Sequence, residues 1–339
     1  MRRALRAAVL ASFLGLAVFC LGCERPPPWT VDRSDDQSWL LSIAELSDRL
    51  LIAGGQPGPT QSQAGTGRLL LRSADGDGAY TVLQSPQPGM LWWVHALPSV
   101  GSAWLCGENG SVIRYDRAAG DTLQAIPTPS RATLYGIWAF SDDDVWAVGG
   151  EAGGPGVVLH GGRSGLQVDT SVPTTATLYK VYAQRSDLLF VVGQDGTLLR
   201  RQGTTWIRDT SPVRDRLLTV WGTDQAVYAV GGLGRARLLQ FDGQSWRSDE
   251  AVADLNGLAG LHLRGDDQLI AGQQGLLAWR RRSDPPNAPF TVAEPLTSLD
   301  LHGALRTSST RWAVGGNLSQ YPVQPPRGVV LRQGPLSIQ

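Results

Sequence analysis

The chain has 339 residues, 30 basic and 30 acidic side chains, and only 18% charged residues overall. A neutral, weakly charged chain lacks the electrostatic footprint that nucleic acid or an anionic membrane surface would select. Lys180 is the single lysine among many arginines, which reads as genomic composition rather than a binding device.

In chain order, the N-terminus comes first. Arg2, Arg3 and Arg6 precede an apolar run from Ala7 to Phe19 that is short for a membrane span, the pattern of a secretory signal. Cys20-Leu-Gly-Cys23 then resembles a bacterial lipobox, with the small Gly22 before the modified residue and Cys20 where leucine is usual. The resemblance implies lipidation at Cys23, a signal peptide over 1–22, a tether over 23–28, and a membrane reached through a lipid anchor. Glu24 in place of aspartate after the lipid cysteine points to the outer membrane of a bacterial cell envelope. A soluble secreted protein and an uncleaved anchor are the alternatives. With Cys23 modified, Cys106 has no partner and no disulfide framework exists.

From Trp29 onward the dominant feature is a glycine behind a short apolar strand, at positions 54, 107, 149, 193, 231, 272 and 315. Successive glycines lie 53, 42, 44, 38, 41 and 43 residues apart, the length of a four-stranded propeller blade. Helical periodicity is absent, and Asn109-Gly110, Asp195-Gly196 and Asp242-Gly243 sit where tight hairpin turns need positive φ. These features predict an all-β, seven-bladed propeller over 29–339, built of four-stranded antiparallel blades. Blade seven has too little chain after Arg332 for a fourth strand. Trp29-Thr-Val-Asp32 precedes Leu40 by the same eleven residues that separate Trp206-Ile-Arg-Asp209 from Leu217. The N-terminal segment is therefore expected to complete the last blade and close the ring. Trp29 would then start at the face carrying the first-to-second strand turns. Five residues of tether, reaching roughly 20 Å, would hold that face to the membrane.

The opposite face carries the second-to-third strand loops. Those of blades two, four and six are short; Gly55 to Gly67 and Gly316 to Gly328 are long and become neighbours once the ring closes. Long loops on a rigid scaffold are where binding usually resides, so Gln56, Gln61, Gln63, Asn317, Gln320, Tyr321, Gln324 and Arg327 are the candidate binding residues; unliganded insertions are the alternative. A column near the end of the first strand reads Ala44, His95, Trp138, Tyr182, Trp221, His262 and His302. His95, His262 and His302 are metal candidates by type, but no carboxylate joins them and aromatic packing is the expected role. Cys106 shares a column with Val148, Val192, Val230 and Val314 and reads as a buried hydrophobe. Most tryptophans recur in columns and read as core; Trp39, Trp92 and Trp279 break the pattern and are the expected exposed contacts. Asp142-Asp-Asp144 and Asp266-Asp267 are expected to cap their own turns, and Arg280-Arg-Arg282 to form a solvated edge. No nucleophile elbow or helical His-Glu pair is present.

Ser73-Ala-Asp-Gly-Asp-Gly-Ala-Tyr80 resembles a degenerate Asp-box of the BNR repeat, and Trp146 to Gly149 and Trp312 to Gly315 resemble strand ends of the photosystem II assembly-factor propellers. The double glycines at 54, 149, 231 and 315 resemble kelch repeats. The resemblance implies a propeller acting as an assembly factor or scaffold, without enzymatic activity or cofactor, for a protein or polysaccharide partner. The alternative is a glycan-active or metal-dependent propeller enzyme.

Overall fold

The computed structural model describes residues 27–59, 63–73, 78–285 and 287–336. Their strands form seven four-stranded antiparallel sheets, joined by turns and loops. The innermost strands are Trp39–Leu46, Leu91–Leu97, Leu134–Ser141, Leu178–Arg185, Leu217–Gly222, Leu258–Arg264 and Asp300–Arg306. Each touches the next, and the last touches the first, so the sheets are the blades of a closed ring. Cys23 lies outside the described residues, as do 74–77 of the Asp-box resemblance. Among the described residues no helix is long and apolar enough to cross a membrane.

The seven glycines have one physical cause. A Cβ added at Gly54, Gly107, Gly149, Gly193, Gly231, Gly272 or Gly315 would lie 2.0–2.3 Å from a backbone carbonyl oxygen at the start of the same blade's inner strand. Gly107, Gly193 and Gly272 are extended, with φ near −165°. Space rather than left-handed geometry therefore selects glycine. Directly opposite stand Leu40, Leu91, Leu134, Leu178, Leu217, Leu258 and Leu301, all fully buried. The register slips by one residue immediately after each leucine, placing a β-bulge at the same height in every blade.

The turns behave as their residue types require. Asn109 (φ 58°), Asp195 (φ 55°) and Gln274 (φ 57°) occupy the left-handed position of matching one-turn loops in blades two, four and six, each followed by a positive-φ glycine. Gln274-Gly275 carries no Asn or Asp, yet takes the same form.

The core is distributed as seven apolar slabs, one at each boundary between blades. Trp104 and Trp312 are fully buried, as is Cys106, whose thiol burial pushes up to about 12, so it is a packing residue and not a reactive one.

Closure follows the expected route. Blade seven consists of Asp300–Arg306, Arg311–Gly316, Gly328–Gln333 and, at its outer edge, Trp29–Asp35 from the opposite end of the chain. Trp29 pairs with Gln333 and Asp35 with Gly328, with a bulge at Asp32. That bulge turns the Asp32 carboxylate towards blade one, where it accepts two hydrogen bonds from Arg72 (2.7 and 2.8 Å) and one from the Tyr80 hydroxyl. The Arg72 guanidinium lies over the Trp312 ring, 4.7 Å from its centroid, so both ends of the chain meet in one contact.

Every other boundary carries an equivalent carboxylate bond. Asp121 and Asp48 join blades one and two through Arg49 and Arg117; Asp142 joins two and three through Trp104 and Arg114. Asp169 binds the Trp206 indole N–H and Asp209 that of Trp246. Asp249 pairs with Arg280, and Asp267 with Arg306 and Arg311. Two expectations are thereby corrected. Asp142 and Asp267 reach across to a neighbouring blade instead of capping their own turns, and Arg280 is a buried boundary residue, not part of a solvated edge. Arginine suits this role because its planar fork matches a carboxylate and stays charged when enclosed.

Two stability experiments follow. Gly231→Ala, which places a methyl 2.1 Å from the Arg216 carbonyl oxygen, should cost roughly 2–4 kcal/mol in denaturant unfolding. Gly203→Ala, at φ 59° with open space around it, should cost only about 1–2 kcal/mol. Asp32→Ala strands the buried Arg72 cation and should destabilise by about 3–5 kcal/mol; adding Arg72→Met should recover much of that loss, and additive losses would contradict the pairing.

Candidate functional site

The inner strands deliver three layers of side chains to the central channel. The first, at the mouth on the side of the second-to-third strand loops, is the bulge column: Leu41, Trp92, Tyr135, Tyr179, Leu218, Ala259 and His302. A run of rings forms part of this collar, with centroids 6.2 Å apart for His302 and Trp92, 5.0 Å for Trp92 and Tyr135, and 5.5 Å for Tyr135 and Tyr179. A bulge projects an extra residue from the inner strand, which is why large rings can stand there.

The middle layer is mostly small: Gly136, Gly260, Gly303, Ser42 and Thr219 bring adjacent inner strands close. Two large side chains fill the remaining space. Lys180 is buried, its ammonium 3.2 Å from the centroid of the Trp93 ring while donating to the Tyr135 carbonyl oxygen at 3.0 Å. Among the described residues no carboxylate pairs with it, and burial lowers its pKa to about 7. The sole lysine is a channel plug, held by a cation–π contact.

The third layer is the histidine and aromatic column. Its members by strand register are Ala44, His95, Trp138, Tyr182, Trp221, His262 and Leu305. Rings pack against one another around it: Trp138 stands edge-on to Tyr182 at 5.0 Å and to Trp221 at 5.5 Å, while His95 lies tilted on Trp138 at 4.1 Å and His262 on Trp221 at 5.1 Å. His302 does not belong here. It is the bulge residue of blade seven, two layers away, and Leu305 takes its place. His95 Nε2 donates to the Ala139 carbonyl oxygen at 3.1 Å, while His262 Nδ1 accepts from the Arg306 backbone N–H at 3.1 Å. The three metal candidates thus do not converge. Among the described residues no group of three or more His, Cys, Asp or Glu is placed to hold a metal ion.

The long loops of blades one and seven meet as expected. The Tyr321 hydroxyl donates to the Gly58 carbonyl oxygen, and the Tyr321 ring packs edge-on against Trp39 at 5.3 Å. Leu318, Leu41, Met90 and Trp92 complete an apolar cluster beneath. Asn317 is turned fully inward: its Oδ1 accepts from Trp39 Nε1 and from the Arg327 N–H, and its Nδ2 donates to the Pro325 carbonyl oxygen. It shapes the loop rather than presenting itself to solvent. Gln324 and Arg327 are exposed and bonded to each other at 3.0 Å; Gln320 is half-buried, and Val323 at the tip is 92% exposed. Gln56 is half-buried at the end of its strand, Gln63 is exposed, and Gln61 lies outside the described residues.

Of the three tryptophans expected at the surface, Trp39 is buried under the blade-seven loop, whereas Trp92 and Trp279 are half-buried. Tyr135 and Tyr179 are channel residues that stand in none of the columns drawn from the sequence. The leucine preceding each bulge residue, 14–16 positions before the repeat glycine, was the signal that marks them.

The architecture defines the class as a seven-bladed β-propeller. No family model matches the chain and no curated relative matches it. Among solved structures it is similar to YCF48 bound to D1 peptide (13% identity, TM-score 0.61, 91% of this chain and 97% of that one). It is also similar to the WD40 β-propeller domain of Doa1 (12%, 0.65, 90% and 97%) and to YCF48 from Cyanidioschyzon merolae (12%, 0.62, 91% and 99%). At such identities the likeness concerns the fold.

The channel histidines make a pH prediction. Burial holds His95 and His302 at about 4 and His262 at about 3. The unfolded chain takes up these protons first as pH falls below 6.5, so stability drops from there towards pH 4, by on the order of 2 kcal/mol per ring given residual contact with the channel. Boundary carboxylates behave differently. Burial alone would raise Asp142, yet bonds from Arg114, Ser102 and Trp104 hold it below the usual range, so its contribution fails only at lower pH. Thermal melts between pH 7 and 4 should therefore show a decline that His262→Gln with His302→Gln flattens.

Proposed function

We propose that this chain is a non-enzymatic scaffold of the bacterial cell envelope, anchored by lipid at Cys23, that presents its second-to-third strand face to a protein partner. One observation carries the reading: the described parts of the long loops of blades one and seven are fastened together through Tyr321 and Gly58 into a ridge beside the aromatic channel mouth. A ridge next to partly exposed rings supplies both shape and apolar contact, the combination protein interfaces favour. The strand order supports the anchoring geometry, since Trp29 enters at the face opposite the ridge. One fold neighbour, a YCF48 propeller, is described as bound to a peptide, which supports a polypeptide partner over other classes.

The test is site-specific photo-crosslinking in intact membranes with the probe at Gln324, and at Arg163 on the opposite face as control. A discrete protein adduct from position 324 alone is the expected result. Equal labelling from both positions, or none from 324, would overturn the assignment of the face.

A further inference from the structure

The third layer of the channel is incomplete. Five of its members are rings, from His95 in blade two to His262 in blade six, but blade one contributes only Ala44 and blade seven Leu305. The absent ring leaves a cavity of about 210 Å³, walled by Trp138, Trp221, His95 and His262 on one side and by Ala44 and Ala304 on the other. An apolar void of about 150 Å³ already accepts a benzene ring. Glu45 and Arg264, which pair with each other, stand beside its opening on the face where Trp29 enters.

The polar groups around this void are the two imidazoles. Trp138 lends its ring to the wall, while its indole N–H is enclosed away from the void. His262 accepts the Arg306 backbone N–H at Nδ1, which leaves its proton on Nε2. His95, donating from Nε2 to Ala139, keeps Nδ1 as an acceptor. Both imidazoles are neutral at physiological pH, and the one ion pair at the opening is internally compensated. The site therefore offers flat aromatic walls, one edge donor on His262 and one edge acceptor on His95, and no net charge.

We propose that this cavity binds a flat, uncharged ring of up to about ten heavy atoms whose edge carries a hydrogen-bond acceptor, received by the His262 Nε2–H. The inference is independent of the partner face, which lies at the other end of the channel. Two sources share this chemistry: a free heterocycle such as nicotinamide or uracil, and the head of a membrane quinone.

Calorimetric titration of the full mature chain would use nicotinamide and uracil for the first source and 2,5-dimethyl-1,4-benzoquinone for the second. Benzene serves as a ring without an acceptor, and benzoate as a charged one. At least one of the three acceptor rings should bind, and which one binds separates the sources. His262→Phe, which removes the donor, should weaken that binding tenfold or more while keeping the wall. Ala44→Phe, which supplies the missing ring, should abolish it; if that variant melts early, Leu305→Phe repeats the test from blade seven. Failure of all three rings to bind below 10 mM (on the order of 3 kcal/mol of binding free energy), or binding that survives both filling variants, would overturn the proposal. So would benzene or benzoate binding as tightly as the acceptor rings.

Discussion

The close approach of each inner strand to the glycine that ends its neighbour is the contact from which the rest of this molecule follows. Without a Cβ at seven equivalent positions, a carbonyl oxygen can lie where a methyl group would otherwise stand. The inner strand then begins with a buried leucine and bulges directly after it. The bulge sets which residues face the axis, and so decides that Trp92, Tyr135 and Tyr179 ring the mouth while Trp138 and Trp221 line the floor. One steric requirement, repeated around the ring, fixes the wall of the channel as well as the spacing of the blades.

The second organising element is electrostatic. Apolar slabs alone would let neighbouring blades slide, since dispersion and burial have no preferred direction. A carboxylate at each boundary, bonded to arginine or to an indole N–H, adds direction. The composition acquires a meaning that its totals conceal: Arg72, Arg114, Arg280, Arg306 and Arg311 sit at boundaries, enclosed with carboxylate partners, while the lone lysine is buried beside Trp93 with no carboxylate among the described residues. Burial weakens the lysine's hold on its proton, whereas the paired guanidinium of Arg114 is held still more firmly.

The repeat, the blade count and the closing strand were legible in the sequence because each rests on local patterns that recur: glycine behind an apolar strand, and Trp-x-x-Asp eleven residues ahead of an inner leucine. Contacts between repeats were less legible. His302 was placed with His262 by its position along the first strand. Counting back from the second strand would have separated them, for His262 stands seven residues before its partner Leu269 and His302 ten before Trp312. A bulge breaks the alternation that such alignments assume. Asp142 and Asp267 look like turn caps because turns attract aspartate for local reasons; only the neighbouring blade reveals the partner. Trp39 lacked a column mate, and its cover arrives from a loop 278 residues away.

The outer strand of the last blade also has a mechanical meaning. It runs from one face of the ring to the other, antiparallel to Gly328–Gln333, with Trp29 at its entry. A pull applied at that entry and resisted at the far face would act along the strand, loading its ladder of backbone bonds together with the Asp32–Arg72 bridge in parallel. Shear of this kind resists rupture far better than peeling one bond at a time, so a ring tugged between its two faces would be gripped at its own fastening.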